Sequence, residues 1–197
     1  MYTPESFAAA LELDPDDYIE LTSYSHHPFY EPFILEVPDN WSHQLYYNVP
    51  LDDLVNVMEN ALKKDYTIMW DGDVSDKFFS HKDGVAIVPA KDWNNKSDEE
   101  KKNTCKIPEE QKAIDQEARQ KAFNSQQATD DHLMHIVGLY QDQHGVKYYK
   151  TKNSWDTDSN DFGGFLQMSE PYIRMNTIAI MINKDALPDK IRKKLGL

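Results

Sequence analysis

The sequence predicts an α+β fold: an antiparallel sheet or half-barrel with peripheral helices. Three features point to it. Residues 51–64 carry one strongly amphipathic helical run, and a polar helical stretch precedes residue 129. From residue 132 onward, runs of strand length alternate with turn signals. Helices first and strands last, with short turns between the strands, is the pattern of a segregated α+β domain.

Each element has a local reason. Thr3-Pro4-Glu5 starts a helix, with Thr as N-cap, Pro in the first turn and an acid at the positive dipole end; Phe7, Ala10 and Leu11 form its apolar face. Asp14-Pro15-Asp16-Asp17 repeats the signal for a second short turn. Residues 23–50 are rich in Pro and aromatic residues and read as an irregular segment with short strands, its rings packed on something else. Leu51, Leu54, Val55, Met58, Ala61 and Leu62 share one helical face, with Asp52 and Asp53 in the first turn and Lys63 and Lys64 in the last. Strands are expected at Tyr66 to Trp70 and Val85 to Val88, the second ended by Pro89. Pro108 is expected to open a helix with a thin stripe of Ile107, Ile114, Ala118 and Ala122, solvated and lying across a surface. Leu133 to Tyr140, Val146 to Lys152, Gly164 to Met168 and Thr177 to Ile182 read as strands, and Leu187 to Leu195 as a last short helix.

Composition limits the function. The chain has 197 residues, with 21 Lys and Arg against 34 Asp and Glu, a net charge of −13. That balance argues against nucleic acid, which needs clustered cations for its phosphates; the small clusters Lys63-Lys64 and Lys190 to Lys194 read as charged helix ends. No apolar run approaches the roughly 18–20 residues of a membrane helix. A hydrophobic content of 40% supports a packed core. The single cysteine, Cys105, permits no internal disulfide and fits a reducing compartment. With Met1 as the natural start there is no signal peptide, and a cytoplasmic setting is favoured. We read 1–197 as one domain: an irregular segment 1–50, helix and strands 51–90, a polar helical insertion 91–128, and a sheet 129–197.

Four places carry chemistry-bearing residues. Asp130-Asp131-His132 with His135 invites a metal reading, but on a strand His132 and His135 point to opposite faces. Asp71-Gly72-Asp73-Val74-Ser75-Asp76 resembles a calcium loop only briefly: the positions that need Gly and Glu hold Asp76 and Lys82. His26-His27, in an aromatic, Pro-bounded loop, is either a polar contact site or part of the packing. Lys152-Asn153-Ser154-Trp155, followed by Gly163-Gly164-Phe165, is the fourth. Only a hairpin separates His132 from Asn153, so the two would stand at adjoining strand ends within hydrogen-bonding reach. The Asn carbonyl then fixes the imidazole tautomer and leaves the other ring nitrogen for a nucleophile. Trp155 beside the pair would exclude water and strengthen the bond.

His132 with its apolar strand, Lys152-Asn153-Ser154-Trp155 and Gly163-Gly164-Phe165 together resemble the second half of a papain-like cysteine peptidase. More narrowly, the chain resembles the bleomycin hydrolase and aminopeptidase C branch. That resemblance extends to Asp16-Asp17-Tyr18, Leu21-Thr22-Ser23, His27-Pro28-Phe29-Tyr30, the unit from Leu51 through Asp73, and Asn183 to Pro188. It implies a papain-like right-hand lobe in which His132 and Asn153 are catalytic and Trp155 is their shield. It implies peptide substrates, no cofactor or metal, and assembly into homo-oligomers.

Three departures from the family pattern shape the expectation. In papain-like enzymes the Cys precedes the His and Asn by about 130–150 residues, which falls near or before residue 1 here, and the branch's insertions push it further out. Cys105, in Lys102-Asn103-Thr104-Cys105-Lys106, lacks the Gly and aromatic surroundings of the family's nucleophile. The expectation is therefore a His/Asn-bearing half whose Cys-bearing N-terminal lobe lies outside this sequence, inactive by itself. The tail ending at Leu197 is shorter than in members whose terminal carboxylate enters the cleft, and Asp156 stands where the family usually has Gly. The competing reading is a noncatalytic interaction or oligomerisation protein of the same ancestry. A metal hydrolase on His132, His135 and Asp131 is the third.

Overall fold

The computed structural model describes residues 2–197. Its helices are α1 (Pro4–Ala10), α2 (Leu51–Lys63), α3 (Asp98–Asn103), α4 (Gln116–Asn124), α5 (Glu170–Asn176) and α6 (Asp189–Leu195). Its strands are β1 (Tyr18–Thr22), β2 (Pro32–Ile34), β3 (Leu45–Asn48), β4 (Ile68–Gly72), β5 (Phe79–Ser80), β6 (Val85–Ala86), β7 (His132–Gln141), β8 (Lys147–Lys152), β9 (Phe165–Ser169) and β10 (Thr177–Asn183). All ten join one open sheet in the order β2-β3-β1-β10-β4-β7-β8-β9-β6-β5. The α+β class is as the sequence predicts. Most neighbours are antiparallel, while β1 with β3 and β6 with β9 are parallel.

Segregation into helices first and strands last does not hold. β1 lies inside the sheet between β3 and β10, paired with C-terminal β10 from Tyr18↔Asn183 to Leu21↔Ile180. Local pattern cannot reveal such a pairing, because its partners are at opposite ends of the chain. α5 was also unforeseen: Ser169 caps it by accepting from the Tyr172 N–H, and Pro171 sits in its first turn.

α2 follows its pattern. Leu51, Leu54, Val55, Met58 and Ala61 are buried, together with Val57. Burial of each larger side chain contributes about 1.5–3 kcal/mol gross. The helix ends where Asp65 turns left-handed and the Tyr66 N–H bonds the Ala61 carbonyl, so the next strand starts at Ile68, two residues later than expected. β4, β7 and β10 then send Ile68, Trp70, Met134, Ile136, Ile180 and Ile182 into one core with α2. Tyr24, Phe33, Leu35 and Ile178 form a smaller cluster. Gly72 is required by a close approach: a Cβ there would lie 2.2 Å from the Asn176 carbonyl oxygen and 2.4 Å from the Trp70 ring.

The polar insertion differs from its expected form. Ser97 and Glu100 make a capping box for α3. Residues after Pro108 are not helical; Gln111 bridges to Pro89, and the helix begins only after Asp115, whose carboxylate caps it. Nor is α4 merely solvated. Arg119 is fully buried, donates to the Ser23 and Arg174 carbonyls at 2.7 and 3.0 Å, and lies over the Tyr24 ring. α1 has its expected Thr3 cap but buries no residue. No helix among the described residues is long and apolar enough to cross a membrane.

Candidate active site

His132 opens β7, and Asn153 directly follows β8, the antiparallel neighbour of β7. The shared end of this hairpin brings the two side chains together. His132 Nε2 lies 2.9 Å from Asn153 Oδ1. An amide oxygen can only accept, so Nε2 carries the proton and Nδ1 of the neutral ring is a free base. Asn153 is 1% exposed, so the bond is made away from water and is correspondingly strong. Its backbone N–H donates to the Gly164 carbonyl at 3.0 Å, and the Lys152 ammonium donates to its carbonyl at 2.9 Å. Trp155 stands beside His132, its ring tilted by 50° with the centroids 5.5 Å apart, and it is 44% exposed.

The start of β7 is held by carboxylates. Asp73 is buried and accepts from the Thr129 N–H and hydroxyl at 2.8 and 3.0 Å, and from the Ser75 N–H at 2.7 Å. Asp131 accepts from the Val74 N–H at 2.9 Å. The Asp71–Asp76 stretch is thus a staple that anchors the strand carrying His132, its best acceptor being spent on protein donors.

His132 also lines a cleft of about 630 Å³ with Asp71, Asp130, Asp131, Trp41 and Ser154. Burial and the neighbouring Asp130 carboxylate push the Asp71 carboxyl up to about 8. Burial raises Asp130 and Asp131 as well. Trp41 is 83% exposed at the rim.

The other sequence candidates fall elsewhere. His135 bonds Thr67 Oγ1 at 2.7 Å, so His132 and His135 engage different partners and do not converge on an ion. His26 and His27 both direct Nε2 at Glu36, at 3.4 and 3.0 Å. Among the described residues these three form the group whose donor atoms are close enough, within 4.8 Å, to hold a metal ion. They also take part in packing, His27 stacking on Phe33 and His26 on Phe123. Cys105 is buried, its Sγ donating to the Phe78 carbonyl at 3.3 Å. Burial first, then Asp83, Glu109 and Asp76, push its thiol up to about 12, so it is neutral at physiological pH.

One residue of the site escaped the sequence reading. His81, in the turn between β5 and β6, places Nδ1 3.3 Å from Asn153 Nδ2 and Nε2 2.7 Å from Ser159 Oγ. Trp155 stands edge-on to it at 4.6 Å. The parallel pairing of β6 with β9 carries that turn to the loop following Asn153. The sequence signal was slight: a lone His in Ser80-His81-Lys82-Asp83-Gly84, a pattern common to many turns.

With this geometry in place, the family model described as Peptidase C1-like family matches residues 1–196. The chain belongs to the Peptidase C1-like family. The papain-like resemblance drawn from His132, Asn153 and Trp155 agrees with this membership. PepW from Lactobacillus rhamnosis HN001 superposes with a TM-score of 0.70 at 16% identity, over 99% of this chain and 42% of that one. The bromelain protease of Ananas comosus gives 0.37 at 13% identity, over 68% and 46% of the two chains. The ragweed pollen cysteine protease Amb a 11 gives 0.34 at 13%, over 68% and 30%. This C1-like chain therefore spans less than half the length of the PepW chain. No curated protein matches it.

Proposed function

We propose that this chain is the His/Asn-bearing, C-terminal part of a cysteine peptidase of the bleomycin hydrolase and aminopeptidase C kind. It hydrolyses peptide bonds with a thiol supplied by a Cys-bearing lobe outside these 197 residues. The observation that carries the reading is the 2.9 Å bond from His132 Nε2 to Asn153 Oδ1 at the wall of an open cleft.

The chemistry follows from the unprotonated Nδ1. His132 takes the thiol proton at Nδ1 and becomes an imidazolium paired with the thiolate. The thiolate attacks the substrate carbonyl, and the imidazolium returns its proton to the leaving amine, giving an acyl-enzyme. His132 then draws a proton from water, the resulting hydroxide equivalent attacks the acyl carbon and expels the thiolate with release of the acid, and the imidazolium returns its proton to restore the starting pair. Asn153 holds the ring in the productive tautomer throughout, and Trp155 keeps water from competing for that bond. Cys105 takes no part, since its thiol is neutral and bonded to a backbone carbonyl.

The test joins this chain to an N-terminal Cys-bearing lobe, in one polypeptide or by coexpression, and measures hydrolysis of aminoacyl-amide substrates. Activity is expected only with that lobe present, and it should vanish in His132→Ala. Turnover by the present chain alone that is lost in Cys105→Ala would overturn the assignment. A folded assembly without hydrolysis would favour the noncatalytic interaction reading.

A further inference from the structure

Four hydrogen bonds run in series beneath the cleft. Ser159 Oγ donates to the Asp156 carbonyl. His81 Nε2 lies 2.7 Å from Ser159 Oγ, Asn153 Nδ2 lies 3.3 Å from His81 Nδ1, and His132 Nε2 lies 2.9 Å from Asn153 Oδ1.

The donor and acceptor inventory sets the direction of each bond. A carbonyl only accepts, so Ser159 gives it its single proton and must accept from His81. Neutral His81 therefore carries its proton on Nε2 and shows Asn153 a lone pair on Nδ1. The Asn153 amide must then aim its NH₂ at His81 and its oxygen at His132. His132 in turn holds its proton on Nε2 and leaves Nδ1 free. Reversing the Asn153 amide would oppose NH₂ to Nε2 of His132, forcing the proton onto Nδ1, where the ring is no longer a base toward the cleft.

We propose that His81 is a positioning residue that fixes the orientation of the Asn153 amide and, through it, the tautomer of His132. The inference rests on the peptidase reading for its purpose, though not for its test. The fold supports His81 in this role. It is 8% exposed, and Asn160 clamps its backbone by donating to its carbonyl at 2.9 Å. Burial, with Lys152 and His132 nearby, lowers its pKa and keeps it neutral, which the direction of the chain requires. The Asp156 carboxylate caps the turn that presents Ser159, so the departure from the family's usual Gly helps to build the anchor.

The test reads the His132 tautomer directly, from ¹⁵N chemical shifts of histidine-labelled full chain above the pH of ring titration. The wild type is expected to hold the proton on Nε2. His81→Phe keeps a ring but removes the acceptor, and the Nε2-H to Nδ1-H ratio at His132 should fall about fivefold, the worth of one ordinary hydrogen bond. His81→Asn restores an acceptor oxygen near the position of Nδ1 and should return the ratio to within about twofold of wild type. An unchanged ratio in folded His81→Phe, or equal shifts in both variants, overturns the proposal. If His81→Phe does not fold, Ser159→Ala decides the matter, because freeing Nε2 lets the His81 ring exchange tautomers. The His132 ratio should then fall, and a ratio equal to wild type overturns the proposal. Hydrolysis by the assembled enzyme is a separate readout. A tautomer that shifts in His81→Phe beside a wild-type assembly that hydrolyses nothing sinks only the peptidase reading, and hydrolysis by the wild-type assembly with an unmoved tautomer in His81→Phe sinks only the role of His81.

Discussion

Asp73 receives both the backbone N–H and the hydroxyl of Thr129, at 2.8 and 3.0 Å, across a sequence separation of 56 residues. This contact ties the loop after β4 to the approach of β7, three residues before His132. Replacing Asp73 with Ala would leave the part-buried Thr129 donors and the Ser75 N–H without this acceptor. Asp73→Ala should lose about 2–3 kcal/mol of stability, measured by urea unfolding, with Asp73→Asn losing less. Equal stability of Asp73→Ala and wild type would show that water replaces the staple at no cost.

The raised pKa of Asp71 links stability to pH. Its folded value of about 8 exceeds the ordinary carboxyl value of 3.8, so the folded state binds the proton more tightly than the unfolded state does. That contribution is complete below the unfolded pKa and is lost as pH rises through the folded one. Asn mimics the protonated acid and does not titrate. Asp71→Asn should therefore be more stable than wild type near pH 9, by about 1–3 kcal/mol, with the gap closing toward pH 4. Thermal melts at a series of pH values check this, and a gap that does not change with pH would refute it.

Cys105 should be unreactive while the protein is folded. A thiol pushed up to about 12 is almost wholly protonated at pH 8, and thiol reagents attack the thiolate. Alkylation followed by mass spectrometry should show labelling at least about a hundredfold slower in buffer than in denaturant. In an assembled peptidase, Cys105→Ala should leave turnover intact.

The buried Arg119 holds α4 to the residue following β1 and to α5 through the Ser23 and Arg174 carbonyls. Arg119→Ala removes these donors and opens space beneath Tyr24. We expect a loss of about 3 kcal/mol, read by chemical denaturation. Arg119→Lys should recover only part of it, because an ammonium cannot reproduce the flat stacking of the guanidinium on Tyr24.

In an assembled enzyme, His132→Ala should abolish hydrolysis, a loss of at least about a thousandfold in kcat. Asn153→Ala should lower kcat by roughly tenfold to a hundredfold with little change in KM, since Asn153 orients the base and does not hold substrate. Steady-state kinetics on an aminoacyl-amide separates the two parameters. A rise in KM alone for Asn153→Ala would move that residue into substrate binding.

The sequence was most informative where structure is local. The apolar stripe from Leu51 to Ala61 specified α2, and the hairpin around Gln143, His144 and Gly145 put β8 beside β7. A single hairpin therefore made the contact of His132 with Asn153 foreseeable. Reading failed where a short polar segment answers to distant partners. The stretch after Pro108 carries a helical stripe, yet it lies extended, with the Lys112 N–H bonded to the Val88 carbonyl. β1 looked irregular because its partner β10 is the last strand along the chain.

The order of residues alone determined α+β character, the principal helix, the C-terminal strands and the pairing of a histidine with an asparagine under an indole. These follow from apolar periodicity, capping chemistry and neighbours in the chain. Tertiary structure alone decided the place of β1 in the sheet, the burial of Arg119, the raised pKa of Asp71 and the arrival of His81 behind Asn153. Each of these depends on which remote groups surround a side chain and exclude water from it, and the parallel crossover joining β6 to β9 leaves no periodic trace in the residues it brings together.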